Sequence, residues 1–348
     1  MIHFNCDYMA GACDEVMRNL VATNNEQTPG YGLDSHSVNA ANLIRQAIGS
    51  DDAKVMFLVG GTQTNATVID GLLSRHEGVV AADSAHIAVH EAGAIEAAGH
   101  KVITIPHHDG KISADEVEKL ISEFYADETY PHMVAPGMLY ISFPTEYGTV
   151  YSLNELKMLR EVCHRHHIPL YIDGARLAYG LAAAGSDVGL KDIARIADVF
   201  YIGGTKVGAL FGEAVVVTNP ALLKNFFPLV KQHGALLAKG RLLGVQFETL
   251  FTDNLYLHIG QKAVRLAIRI KEAFLKHGFN TVIDSPTNQQ FFYLPNLVID
   301  SLRRQIDFDY WGPRGEEYST VRFVTSWETT DSDVDTLVEV LDEICLQK

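Results

Sequence analysis

Positive charge is scarce in this chain. Against 43 aspartates and glutamates stand 28 lysines and arginines, a formal net charge of −15 over 348 residues. That balance argues against a nucleic-acid or anionic-membrane binder, since both rely on a basic patch, yet a small anionic ligand held by local groups stays open. Cysteine is scarce as well: Cys6, Cys13, Cys163 and Cys345 are scattered without metal-ligand spacing. They read as reduced thiols and not as a disulfide framework. No stretch approaches the roughly 18–20 apolar residues a bilayer span needs. The start, MIHFNCDYMAGACDEVMRNL, has no basic segment leading into an apolar run. The expected compartment is the cytoplasm. Low-complexity tracts and internal repeats are missing, and so are G-x-G-x-x-G and G-x-x-x-x-G-K-[ST], which disfavours a dinucleotide or P-loop site.

What is present is an ordinary globular composition, 47% hydrophobic and 20% charged, in a chain long enough for two domains. Short β-rich runs alternate with helical patterns over the first two thirds. The strands are expected at 54–59, 78–83, 100–106, 138–142, 169–173, 198–203 and 213–218. Between them, helices are expected at 64–76, 86–98, 113–124 and 152–167; Ser113 and Glu116 form a capping box ahead of the third. This alternation implies right-handed βαβ units, a mostly parallel sheet and helices on both faces. Past residue 240 the pattern changes to one long helix over 241–277, shorter strands at 281–285, 290–295 and 320–327, and a terminal helix at 331–347.

Four segments carry chemistry. VGGTQTN (59–65) follows a strand and opens a helix, so Gly60, Gly61 and the Thr62 hydroxyl suit either an anion site or a plain capped turn. YIDGARLAYG (171–180) puts Asp173 at a strand's carboxyl end, where open α/β sheets bind ligands, with Arg176 three residues on. The alternative is a structural Asp–Arg pair. YIGGTKVGALFG (201–212) holds a lone lysine, Lys206, after Gly203, Gly204 and Thr205, flanked by small and apolar residues. A solvated loop lysine is the bland reading; a desolvated amine is the functional one. DSAHIAVHEAGA (83–94) places His86 and His90 four apart, but the sequence is not H-E-x-x-H and no third metal ligand is evident. Stacking on a planar ligand suits His86 better than zinc. Together these features fit pyridoxal 5'-phosphate, which needs an amine, a phosphate cup, an acid at its ring nitrogen and a group stacked on its face.

The order GGTxxN, AHI with a downstream EAGA, DGAR, and then a lysine in a small-residue turn resembles the threonine aldolase and β-eliminating lyase family. The resemblance runs from FNCDYM near the start to VRFVTSWETT near the end. It implies pyridoxal-phosphate fold type I: an N-terminal segment 1–30 packed on the small domain or a partner subunit, a cofactor-binding domain 31–245 with a mostly parallel seven-stranded sheet, and a smaller α+β domain 246–348. It makes Lys206 the Schiff-base lysine and His86 the ring-stacking residue. Asp173 is then the partner of the ring nitrogen, and Gly60, Gly61 and Thr62 are the phosphate cradle, with Thr205 also at the cofactor. Arg176 is implied near the cofactor's phenolic oxygen and the substrate carboxylate, with Arg322 completing the carboxylate clamp. Tyr31 and Lys231 match residues lent to a neighbouring subunit's site, which implies a homodimer or homotetramer. Two departures stand out. Cys6 occupies the place of a serine that contacts the substrate carboxylate, and Thr145 or Glu146 stands where a second histidine is common. The implied activity is retro-aldol cleavage of β-hydroxy-α-amino acids, with L-threonine or L-allo-threonine giving glycine and acetaldehyde. A β-eliminating lyase and a non-catalytic pyridoxal-phosphate-fold binding protein remain the alternatives. His86, Glu146 and a bound water are the candidate general bases, and no dedicated metal site is visible.

Overall fold

A computed structural model describes residues 1–346. After the short edge strand β1 (Ile2–His3), seven strands build the central sheet. They are β2 (Lys54–Leu58), β3 (Glu77–Ala82), β4 (Lys101–Ile105), β5 (Ala135–Ser142), β6 (Leu170–Asp173), β7 (Val199–Gly203) and β8 (Glu213–Val217). Their spatial order is β2-β8-β7-β6-β5-β3-β4. All neighbours pair in parallel except at β8, which runs antiparallel to both β2 and β7. The sequences VFYIG and EAVVV are buried along their whole length, as strands covered by helices on both faces must be. The sheet is thus the mostly parallel, seven-stranded one that the alternation predicts.

Topology then fixes the site. Parallel strands deliver their carboxyl ends to one edge, so Leu58, Asp173 and Gly203 finish side by side. Because β8 is antiparallel, its first residue, Glu213, starts at that same edge, opposite Gly203 on one side and Leu58 on the other.

Several helices differ from the sequence-based expectation. The stretch 86–98 is two short pieces, His86–Val89 and Ala94–Ala97, interrupted where Ala92 (φ 51°) and Gly93 (φ 72°) turn left-handed. The helix expected at 64–76 spans Gly61–Leu72. The single helix expected over 241–277 is likewise two, Arg241–Phe251 and Leu255–Lys276. They are separated at Asp253 (φ 52°) and Asn254 (φ 56°), residue types that tolerate this conformation. The N-terminal region contains helix Asp14–Ala22, and Ser35–Ile48 is a helix capped by the Asp34 side chain on the Ser37 N–H and ended by left-handed Gly49. Capping boxes begin Ala114–Ala126 (Ser113, Glu116) and Leu153–Arg165 (Ser152, Glu155). The terminal helix spans Asp331–Leu346; Gln347, the end of the expected helix, lies outside the described residues.

The C-terminal part adds β9 (Thr281–Ile283), β10 (Gln289–Pro295), β11 (Ile306–Asp307), β12 (Asp309–Tyr310) and β13 (Tyr318–Val324). Four of them form an antiparallel sheet in the order β12-β13-β10-β9, while β11 pairs in parallel with β1. Phe4, Phe274, Phe292, Phe308 and Phe323 meet beneath this sheet, with Phe274 stacked on Phe292 at 4.2 Å between centroids. Each buried ring contributes about 1.5–3 kcal/mol. The helix Leu255–Lys276 serves both cores. Tyr256, Ile259, Ala263 and Val264 belong to the large one; Leu266, Ile270, Ala273 and Phe274 belong to the small one. No helix among the described residues is long and apolar enough to cross a membrane.

Candidate active site

A cavity of about 570 Å³ opens at the carboxyl edge of the sheet. It brings together Gly60, Gly61, Thr62, His86, Thr145, Asp173, Arg176, Thr205, Lys206 and Arg322, drawn from segments spread over 260 residues of chain.

Lys206 lies three residues beyond the end of β7. The turn before it needs glycine: a Cβ on Gly203 would sit 2.3 Å from the Ala175 carbonyl oxygen, because β6 and β7 leave the sheet in near contact. Beyond Lys206 the chain doubles back at Gly208 and Gly212, and the Gly212 carbonyl accepts from the Gly204 and Thr205 N–H groups at 3.0 and 3.1 Å. The Lys206 carbonyl accepts from the Tyr179 hydroxyl. Its amine has no hydrogen bond or ion pair among the described residues, and lies over the Tyr8 ring, 5.9 Å from the centroid. Burial lowers the Lys206 pKa from the usual lysine value, and the Arg176 charge lowers it further, against the opposing pull of Asp7, Asp173 and Glu213. This is a desolvated amine, not a solvated loop charge.

Asp173 is buried and held by three donors. Its Oδ2 accepts from Tyr140 OH at 2.6 Å and Asn65 Nδ2 at 3.0 Å, and its Oδ1 accepts from the Ala175 N–H at 2.9 Å. The Asn65 amide also donates to Glu91 Oε1 at 2.7 Å and accepts from Tyr171 OH at 2.9 Å. Glu91 in turn lies 2.8 Å from His86 Nδ1. The break in the expected 86–98 helix is what lets Glu91 turn inward to reach that ring.

The arginines are arranged differently from each other. Arg176 is tied by two hydrogen bonds to the fully buried Asp7, Nε to Oδ2 at 2.7 Å and Nη2 to Oδ1 at 3.0 Å, with Asn288 also on Oδ2. Its guanidinium borders the cavity already paired. Arg322, on β13, packs against the Trp311 ring at 5.0 Å and donates to Gln289 Oε1, the Asn5 carbonyl and Asp309 Oδ2. Its buried Nε has no partner.

Two further carboxyls line the cavity. Glu146, just after the cis Phe143–Pro144 bond, accepts at Oε1 from Ser142 Oγ (2.7 Å) and the His86 N–H (2.9 Å), and burial raises its pKa above the usual carboxylate range. Glu213 accepts from Thr205 Oγ1 (2.8 Å) and the Gly204 N–H (3.1 Å), and burial pushes it up to about 8.

Three of the residues singled out from the sequence lie elsewhere. Cys6 does not line the cavity. Phe4 is anchored in the small core and Asp7 is fixed on Arg176, so the neighbouring Tyr8, and not Cys6, faces Lys206. Tyr31 lines a separate cavity and Lys231 lies over its ring at 4.7 Å, both away from Lys206. Conversely, no role is assigned from the sequence to Asp7, Tyr8 or Glu213, nor to Glu91, which stands beside the two histidines, or Asn65, which ends GGTxxN. Only the neighbouring motifs hinted at them.

The residues present fit pyridoxal phosphate. A half-buried amine is without a partner among the described residues, and a Cβ on Gly60 would meet nothing within 4 Å, which leaves the start of helix Gly61–Leu72 open to an anion. A firmly held carboxylate completes the set. A family model described as β-eliminating lyase matches residues 3–294. The chain belongs to the β-eliminating lyase family. Among relatives of this family, a low specificity L-threonine aldolase of Pseudomonas aeruginosa is 28% identical over 329 residues, covering 94% of this chain and 93% of the relative. A Leishmania major threonine aldolase structure matches with a TM-score of 0.96 at 40% identity, covering 99% of this chain and all of that one. A Thermus thermophilus aspartate aminotransferase, 13% identical with a TM-score of 0.71, shares the fold. As a member of this family the protein is a pyridoxal-phosphate-dependent lyase of fold type I.

Proposed function

We propose that this lyase cleaves the Cα–Cβ bond of β-hydroxy-α-amino acids, converting L-threonine or L-allo-threonine to glycine and acetaldehyde with low specificity. The observation that carries the reading is a single cavity in which an unpartnered, half-buried lysine, a firmly held aspartate, a clamping arginine and a half-buried glutamic acid converge. Relatives named as threonine aldolases over nearly the whole chain support it.

Bound through Lys206, pyridoxal phosphate supplies an electron sink for the bonds at the substrate's Cα. The chain's own groups do the rest. Gly60, Gly61, Thr62 and Thr205 would hold the phosphate, and Asp173, immobilised by Tyr140, Asn65 and Ala175, would keep a proton on the ring nitrogen. His86, steadied by Glu91, would cover the ring. Arg322 offers its free Nε edge to the substrate carboxylate, while Arg176, already neutralised by Asp7, orders that wall. Glu146 is the favoured base for the β-hydroxyl proton: it lines the cavity, Ser142 and the His86 N–H fix its position, and its raised pKa brings it nearer neutrality. Thr145, buried beside it, would shape the β-substituent's pocket.

Tyr31 and Lys231, paired with each other outside their own cavity, would complete a neighbour's site in a homodimer or homotetramer acting in the cytoplasm. Incubation with L-threonine, L-allo-threonine, phenylserine and L-serine tests the activity. Aldehyde and glycine support the reading. Pyruvate without aldehyde replaces it with β-elimination, and no product from a cofactor-loaded protein reduces it to binding.

A further inference from the structure

Glu213 is an acid in an unexpected place. It lies at the start of β8, so its backbone sits between Leu58, two residues before the Gly60–Thr62 cradle, and Gly203, three residues before Lys206. Its side chain is 4% exposed and lines the cavity, with one oxygen on the Gly204 N–H and the other on the Thr205 hydroxyl. The Thr205 oxygen in turn accepts from the Gly212 N–H at 3.0 Å. While Glu213 is ionised, the hydroxyl hydrogen of Thr205 is committed to it and is not free for an incoming anion.

We propose that Glu213 is a positioning residue for the cofactor's phosphate, and that it must carry a proton for the phosphate to be held, so that cofactor capture draws a proton into the site. An ionised carboxylate between the cradle and the lysine turn repels a phosphate dianion across a desolvated space and keeps Thr205 turned away. The protonated acid removes the repulsion and frees the Thr205 hydroxyl to point at the phosphate. Burial favours the neutral form. Among the surrounding groups, Lys206 stabilises the charged form and Asp173 opposes it. Tyr171, Tyr201 and Tyr256, from β6, β7 and the helix Leu255–Lys276, are neutral hydroxyls with pKa values far above that range, and Leu58 brings no charge from β2. The inference rests on pyridoxal phosphate being the cofactor.

The test measures binding of pyridoxine 5'-phosphate, which lacks the aldehyde and cannot condense with Lys206, to the cofactor-stripped full chain between pH 7 and 9. In the wild type the dissociation constant should rise about ten-fold more over this range than in Glu213→Gln, as linkage to one group titrating near 8 requires. The ring nitrogen contributes equally to both proteins and cancels in the ratio; because Glu213 also acts on the Lys206 amine, the pair is compared in the Lys206→Ala background as well, where the lysine does not titrate. Glu213→Ser, also unable to ionise, provides a second neutral variant should the glutamine not fold, with far-UV circular dichroism as the check. Parallel pH dependences in the wild type and a folded neutral variant would overturn the proposal. Failure of the wild type to bind the probe at any pH would overturn the cofactor assignment instead.

Discussion

Asp7 and Arg176, separated by 169 residues in sequence, form a two-pronged ion pair at the wall of the cavity. Asp7 is fully buried and the Arg176 side chain nearly so. The Arg176 charge and hydrogen bonds hold the Asp7 carboxyl below the usual carboxylate range, despite a burial effect that pushes the other way. The pair pins the N-terminal segment across the site and carries Tyr8 to Lys206.

Asp7→Asn leaves Arg176 as an uncompensated buried charge, which typically costs about 3–5 kcal/mol. Denaturant unfolding checks the loss. The contribution also has a pH signature. A lowered folded-state pKa gives stability that is present above the unfolded value and lost as pH falls through the folded one. The wild type should therefore lose its advantage over Asp7→Asn below about pH 4.

Lys206→Ala removes the amine that holds the cofactor. Turnover should fall by several orders of magnitude and the visible absorption of the lysine–cofactor adduct should vanish. A purified variant with both intact would refute the assignment.

Glu146→Gln tests the base. The glutamine keeps an oxygen for Ser142 and the His86 N–H but cannot take a proton, and kcat should drop by about 10²–10⁴-fold. With a raised pKa the wild-type carboxyl ionises only above the usual carboxylate range, so kcat/KM should decline on the acid side as pH falls through that value. In the variant this acid limb should disappear.

Asn65→Ala severs the link between Asp173 and Glu91 and strands the Tyr171 hydroxyl. Activity should fall by about 10- to 100-fold, the scale typical of groups that orient a functional ligand. Cofactor affinity should weaken with it, measured by titration, while circular dichroism reports an intact fold.

Phe274→Ala empties the centre of the small core, where Phe274 stacks between Phe292 and the rings around it. A loss of about 3–5 kcal/mol is expected, seen as a shifted denaturation midpoint.

The sheet and its ligand edge were legible because buried strands are written as short apolar runs such as VFYIG, and because Lys206 is conspicuous among small residues. The helix ends were less so. The apolar rhythm runs through Asp253 and Asn254, and only their tolerance of left-handed backbone hinted at the break. Ser35–Ile48 carried a cap at Asp34, a stop at Gly49 and core positions Ala40, Ala41, Ile44 and Ile48, which a closer reading of that pattern would find. The couplings Asp7–Arg176, Asn65–Glu91–Asp173 and Glu213–Thr205 are another matter. The first two join residues distant in the chain, and the third depends on β8 running backwards, which no local pattern records.

The helix Leu255–Lys276 has a further consequence. At 22 residues it is about 33 Å of continuous rod, with one half embedded in each hydrophobic core. The C-terminal part is therefore not a detachable module. A fragment beginning at 246 would carry Tyr256, Ile259, Ala263 and Val264 into water without their large-core neighbours. One beginning after 265 would give up the strut beneath its own sheet. The two cores that carry the walls of the cavity are braced by the same beam.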